Sequence, residues 1–232
     1  MSPYRYLLFD LDGTLFDYDR AEAQALQATC TAFGMDYSPG LLQMYRHMNS
    51  KLWDDFEQGK ITPDRLKIKR FEQLSEAVQV GFDPGAFSDY YLEQLALGTD
   101  LIPGAEELIR SLEGKFKLLL ITNGLSRVQR PRIAHSALAP YFSVVIISEE
   151  VGCAKPDPKI FDRVFELINH PARETVLMIG DSLSSDICGG QSYGLDTCWF
   201  NPMGQPNDSM VLPTYEITRL EELYKILAVG DD

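Results

Sequence analysis

Apolar positions along the chain fall into two regimes. Once before residue 17, and repeatedly after residue 98, short near-continuous apolar runs occur at 6–9, 118–121, 144–147, 176–179 and 197–200. Runs of this length without polar alternation are the pattern of strands covered on both faces. Helical stretches separate them at about 104–113, 126–138, 158–168, 184–193 and 218–228. Strands alternating with helices predict an α/β fold, a doubly wound parallel sheet with right-handed crossovers. Pro131 lies inside the 126–138 pattern, where proline is expected to kink or shorten a helix.

Between residues 17 and 98 the strand signal disappears and amphipathic helical spacing takes over. Ser38-Pro39 and Thr62-Pro63 each pair an N-cap residue with proline at the first helical position, and Gly34, Gly59 and Gly81 fall near expected helix ends. Roughly four helices are thus inserted after the first strand. The predicted organisation is a core of residues 1–16 and 99–232, interrupted by an all-helical cap of residues 17–98. The final Gly230-Asp231-Asp232 reads as a frayed tail.

Ligands of doubly wound sheets bind beyond the carboxyl ends of the strands, where strand order reverses. Polar residues gather at those ends here. The first strand delivers Asp10, Asp12, Gly13 and Thr14; the second delivers Thr122, Asn123 and Gly124; Lys155-Pro156 follows the third; the fourth delivers Gly180, Asp181 and Ser182, with Asp186 beyond. One Asp-Gly pair alone would be turn punctuation, but four strand ends bearing chemistry are a site. Carboxylates from adjacent strand ends make a hard, oxygen-rich pocket suited to Mg²⁺. One of them can act as a nucleophile, and a lysine with a threonine hydroxyl can neutralise and position phosphoryl oxygens. Asp12, two residues past Asp10 in an extended segment, points the same way and can move protons. Enhancement of phosphate-monoester hydrolysis can approach ~10²¹, whereas a general acid contributes about 10²–10⁴. The whole set is needed.

Charge narrows the partners. The formal net charge of −13 argues against a nucleic-acid backbone or an anionic membrane as the main partner. A small phosphorylated metabolite remains compatible, because a metal and Lys155 supply local positive charge. The apolar runs are too short to span a membrane. No leader pattern precedes the first strand. Cys30, Cys153, Cys188 and Cys198 are widely spaced, without a C-x-x-C pair, and read as free thiols of a reducing compartment. A soluble, cytoplasmic protein is expected.

D-L-D-G-T at 10–14, T-N-G at 122–124, K-P at 155–156 and G-D-S-x-x-x-D at 180–186 resemble, in order, the four motifs of the haloacid dehalogenase-like hydrolase superfamily, with its Rossmann-like core. Residues 17–98 resemble its helical cap. The resemblance implies that Asp10 is the nucleophile and a Mg²⁺ ligand, and that Asp12 is the general acid/base with its carbonyl on the metal. It implies that Thr122 and Lys155 hold the phosphoryl group, that Asp181 completes the metal site, and that Asp186 supports it from behind. Backbone amides of Leu11, Asp12, Asn123 and Gly124 would meet phosphate oxygens. The dehalogenases of the superfamily lack a second aspartate at the position of Asp12, so its presence implies phosphate-ester chemistry through an aspartyl-phosphate.

N-S-K-L-W at 49–53, F-E-Q-G-K-I-T at 56–62, K-R-F at 69–71 and I-T-N-G-L at 121–125 further resemble the pyrimidine 5′-nucleotidase branch. Asn49, Trp53 and Arg70 would then contact base or ribose, and Phe16 would line the site's mouth. Each also has a structural reading: Trp53 and Phe56 stand at the i, i+3 spacing of a helical core pair, Asn49 fits a helix cap, and Arg70 fits a solvated helix charge. Within the superfamily the alternatives are a sugar-phosphate or phosphoglycolate phosphatase and a phosphomutase. Outside it, a receiver-like phospho-acceptor module shares the acidic, threonine and lysine set, but has no use for a helical insert of about eighty residues.

Overall fold

The computed structural model describes residues 2–229; the tail from Gly230 lies outside the described residues. Strand β1 (Tyr6–Phe9) leads, through a polar turn, into helices α1 (Tyr18–Ala32), α2 (Pro39–Glu57), α3 (Pro63–Val78) and α4 (Pro84–Leu95). The chain then alternates through α5 (Ala105–Leu112), β2 (Lys117–Thr122), α6 (Ser126–His135), β3 (Val144–Ile147), α7 (Ser148–Val151) and α8 (Pro158–Leu167). It ends with β4 (Val176–Gly180), α9 (Cys188–Ser192), β5 (Asp196–Phe200), β6 (Tyr215–Ile217) and α10 (Leu223–Ile226).

The described strands form one six-stranded sheet in the order β3-β2-β1-β4-β5-β6, with every neighbouring pair parallel. Strand order therefore reverses at β1, which lies between β2 and β4. The register explains the continuous apolar runs. Leu7 and Phe9 sit with Leu118, Leu120, Leu177 and Ile179 in one core cluster, against Leu108 and Ile109 of α5. Leu8 faces the other way with Leu119, Ile121 and Met178, packed against Ile160, Phe161 and Val164 of α8. Alternate residues of one strand thus serve two cores, and no position is left for a polar side chain.

By contact density the described chain divides into two compact units. One holds the chain up to Asp17, Asp100–Ser126 and the part from Ile133 onward; the other holds Tyr18–Thr99 with Arg127–Arg132, the body of α6. In the helical unit, α2, α3 and α4 begin alike. Ser38, Thr62 and Asp83 each accept a backbone N–H three residues on, at 3.2, 3.3 and 2.8 Å, with proline following as the first helical residue. The chain leaves and rejoins the sheet unit at adjacent points. The Asp17 N–H donates to the Asp100 carbonyl at 2.9 Å, and Phe16 bridges Leu101.

Several elements depart from the sequence expectation, among them the short α7 and a last helix reduced to a 3-10 turn and α10. β6 is a three-residue Tyr-Glu-Ile edge, too short and too polar at its centre to read as an apolar run. The stretch 184–193 splits into a π turn, Leu183–Ile187, and the short α9, because the Ser182 carbonyl accepts from both Asp186 N–H and Ile187 N–H and Gly189-Gly190 propagates a helix poorly. Helix α6 keeps Pro131 inside it but ends at His135, where Ser136 turns extended.

Candidate active site

The polar strand ends converge. The Asp10 N–H donates to the Ile179 carbonyl at 2.8 Å, carrying the β1–β4 ladder one rung past the strand and fixing the Asp10 backbone beside the end of β4. Carboxylate oxygens of Asp10, Asp181 and Asp186 lie within 4.8 Å of one another. Gly13 makes this approach possible. Its φ is +82°, and a Cβ there would overlap the Asp181 carboxylate. Gly180 does the same for Asp186, whose carboxylate occupies the space a Cβ would need.

Lys155 is the positive pole. Its ammonium, 2% exposed, donates to Asp10 Oδ1 at 2.5 Å, to Asp186 Oδ1 at 2.6 Å and to the Ile121 carbonyl at 3.0 Å. All three ammonium protons are thereby used. Burial opposes the charge on Lys155, but Asp10 and Asp186 outweigh it and raise its pKa above the ordinary lysine value. Burial pushes the Asp10 carboxyl well up; Lys155 pulls it back, while Asp186 and Asp181 add to the rise. One face of Asp181 meets solvent, yet the protein packed around its carboxyl, with Asp186 beside it, lifts its pKa to about 7. Three carboxylates share one ammonium here. That surplus of negative oxygen is the donor set a hard divalent cation takes.

The surrounding turns hold these groups. Asp186 Oδ2 accepts the Ser182 N–H at 3.0 Å and the Ser182 hydroxyl accepts the Ser185 N–H at 3.2 Å, so the π turn aims Asp186 back at Lys155. Such turns are common at functional sites. Thr122, buried at the end of β2, accepts the Gly124 N–H at 3.1 Å. Asp12 is half-buried, with its backbone bridged to Phe16. Its charge adds to the field on Asp181.

The remaining candidates are each held by neighbours of their own. Phe16, expected at the mouth of the site, is fully buried in the apolar cluster with Leu11 and Leu15, because its backbone closes the turn onto Leu101. Asn49 and Arg70 meet each other inside the helical unit. Asn49 Nδ2 donates to Glu22 at 3.2 Å, and Arg70 Nη1 reaches Asn49 Oδ1 at 3.5 Å. The Arg70 guanidinium lies 4.8 Å from the Tyr91 ring centroid and 4.9 Å from that of Phe71. It is therefore buried among aromatic rings and is not a solvated helix charge. Trp53, half-buried, packs edge-on against Phe56 at 5.6 Å.

Two contributions were not legible beforehand. The Thr14 hydroxyl lies 3.4 Å from both Asp10 Oδ2 and Asp181 Oδ1; its place right behind Gly13 was the available signal. The Asn123 side chain binds both peptide groups of Lys155.

Comparison with known proteins gives this geometry its family. The description "haloacid dehalogenase-like hydrolase" matches residues 4–194. The HAD-hydrolase YfnB of Bacillus subtilis is 42% identical over 229 residues, covering 99% of this chain and 97% of its own. Its magnesium-bound crystal structure superposes with a TM-score of 0.93, covering 97% of this chain and 99% of that one. Pyrimidine 5′-nucleotidase YjjG of Escherichia coli is 36% identical, covering 96% of this chain and 97% of its own. Pyrimidine 5′-nucleotidase PynA of Streptococcus pneumoniae is 37% identical, covering 97% and 95%. A matched region spanning most of the sequence, end-to-end relatives and the gathered strand-end carboxylates agree: the chain belongs to the haloacid dehalogenase-like hydrolases.

Proposed function

We propose that this hydrolase is a Mg²⁺-dependent phosphatase that cleaves a pyrimidine nucleoside 5′-monophosphate through an aspartyl-phosphate on Asp10. The observation that carries the reading is the contact of Asp10 with a fully buried ammonium, inside a cluster of carboxylates at the point where strand order reverses. The substrate class is supported by the two nucleotidases that align with the whole chain.

Asp10 attacks phosphorus, and the ester oxygen departs with a proton from Asp12, releasing the nucleoside. Asp12, now ionised, takes a proton from water, whose oxygen attacks the phosphorus of the aspartyl-phosphate. Inorganic phosphate leaves and the Asp10 carboxylate is regenerated. Lys155 and the Thr122 hydroxyl hold the phosphoryl oxygens as charge shifts onto them, while Asp186 keeps the ammonium in place. When bound, Mg²⁺ is held by Asp10, Asp181 and the Asp12 carbonyl and neutralises phosphoryl charge as a Lewis acid. Residues 17–98 serve as a cap, with the half-buried Trp53 as its leaving-group contact and the Asn123 and Gly124 amides at the phosphate; Asn49 and Arg70, buried against each other, brace the helices from inside.

No helix among the described residues is long and apolar enough to cross a membrane, and the four cysteines are free. Free thiols suit a reducing compartment and support a place in the cytoplasm.

A sugar phosphate is the second reading, favoured by the 28% identity to N-acylneuraminate-9-phosphatase of Mus musculus over 98% of this chain. Phosphate release by the purified protein with Mg²⁺ from pyrimidine and purine monophosphates, N-acylneuraminate 9-phosphate and phosphoglycolate decides between them. The pyrimidine nucleotides should give the highest kcat/KM. A preference for the acidic sugar would transfer the assignment. Full turnover by Asp10→Asn, or in EDTA, would remove the mechanism.

A further inference from the structure

Asp181 is tethered less directly than its fellow carboxylates. Asp186 accepts a charged bond from Lys155 and a backbone bond from Ser182, and Asp10 takes Lys155 at 2.5 Å. The described hydrogen bond from another residue to the Asp181 carboxylate is the long one from Thr14, at 3.4 Å. Its location must therefore be set largely through its own main chain. That main chain has just left the sheet, since the β4–β5 ladder ends with Gly180 opposite Trp199.

Trp199 continues the ladder with its side chain. The indole Nε1–H donates to the Asp181 carbonyl at 2.8 Å, and the ring is 5% exposed. Indole is a donor only. Phenylalanine would fill much of the same volume and leave the carbonyl unmatched. The bond fixes the peptide plane from which the Asp181 carboxylate is directed toward Asp10.

We propose that Trp199 is a positioning residue for the metal site, setting divalent-cation affinity through the Asp181 peptide without touching cation or substrate. The proposal rests on the Mg²⁺ reading given above. Groups that orient metal ligands typically govern affinity by about 10–100-fold, and the effect here should fall on Mg²⁺ binding more than on the chemical step.

Calorimetric titration of MgCl₂ into the wild type and Trp199→Phe, without substrate, tests it. The variant should bind Mg²⁺ ~10-fold or more weakly and show a smaller Mg²⁺-dependent rise in Tm, while its kcat at saturating Mg²⁺ stays within about threefold of wild type. Equal affinities would overturn the role of Trp199 and leave the Mg²⁺ reading intact. Absence of Mg²⁺ binding to the wild type would overturn both. Should Trp199→Phe fail to fold, Trp53→Phe leaves Trp199 as the sole indole, since the chain holds two tryptophans. Its emission should then change saturably with MgCl₂, and a flat titration would overturn the proposal.

Discussion

Asn123 grips Lys155 by the main chain on both sides. Its Oδ1 accepts the Lys155 N–H at 2.8 Å and its Nδ2 donates to the Lys155 carbonyl at 2.9 Å, the pairing that a neighbouring strand would otherwise supply. The Asn123 carbonyl is held in turn by the Ser148 hydroxyl at 3.0 Å. The ammonium that faces Asp10 is thus referenced to the end of β2 although it arrives on a loop after α7. Asn123→Ala removes both bonds at once. It should lower kcat ~10-fold or more through a misplaced Lys155, with an unchanged far-ultraviolet circular dichroism spectrum. Wild-type kcat in that variant would show that the loop holds Lys155 unaided.

Lys155→Met keeps length and removes charge. Two buried carboxylates then face one another uncompensated, a situation that costs about 3–5 kcal/mol when one partner of a buried pair is deleted. Turnover should fall about 10²–10³-fold. Lowering the pH protonates the orphaned Asp10 carboxylate, whose pKa burial already raises, so the loss of stability relative to wild type should shrink between pH 7.5 and pH 5.5. Denaturant unfolding at the two values gives the comparison; a deficit that grows on acidification contradicts the buried-pair account.

At Gly13 two penalties coincide: a backbone in the left-handed region and no space beside Asp181. Gly13→Ala should destabilise the fold by about 1 kcal/mol or more and displace the Asp181 carboxylate. Phosphatase activity should drop more steeply than thermal stability. A variant with reduced Tm but unaltered Mg²⁺ requirement would show that the crowding is relieved elsewhere.

In the helical unit, burial pushes the Glu22 carboxyl up, while Arg46, at 2.7 Å, and Asn49 counteract it only in part. The folded state therefore holds the Glu22 proton at pH values where the unfolded chain has released it. This contribution to stability is complete below the unfolded pKa and is lost as pH rises through the folded one. Glu22→Gln should flatten that part of the stability–pH curve above pH 4.5. Parallel curves for the two proteins would mean that Glu22 stays ionised throughout.

The sheet and the gathering of its polar strand ends were readable from the sequence because both rest on local patterns. A strand buried on two faces must be apolar along its length, and Leu7-Leu8-Phe9 states this directly. The break from Phe9 to Asp10 then marks where the sheet ends and chemistry begins. Phe16 was not readable, since its burial follows from the closure of a turn onto Leu101, a contact between residues 85 positions apart. The burial of Arg70 was unreadable for the same reason. Its neighbours Asn49 and Tyr91 come from other helices, and no periodicity within α3 announces them. Trp199 was silent because its indole acts on a backbone atom, and a main-chain carbonyl carries no signature in the sequence.

The adjacent exit and return at Asp17 and Asp100 have an evolutionary corollary. A segment whose two ends lie side by side, tied by the Asp17–Asp100 peptide hydrogen bond and the Phe16–Leu101 bridge, closes on itself where it enters. Because closing a longer loop adds only about 0.6 kcal/mol per doubling of length, the insert can change in length at little entropic cost to its closure. The two ends of the inserted helices are thereby brought to one place on the polypeptide that carries them.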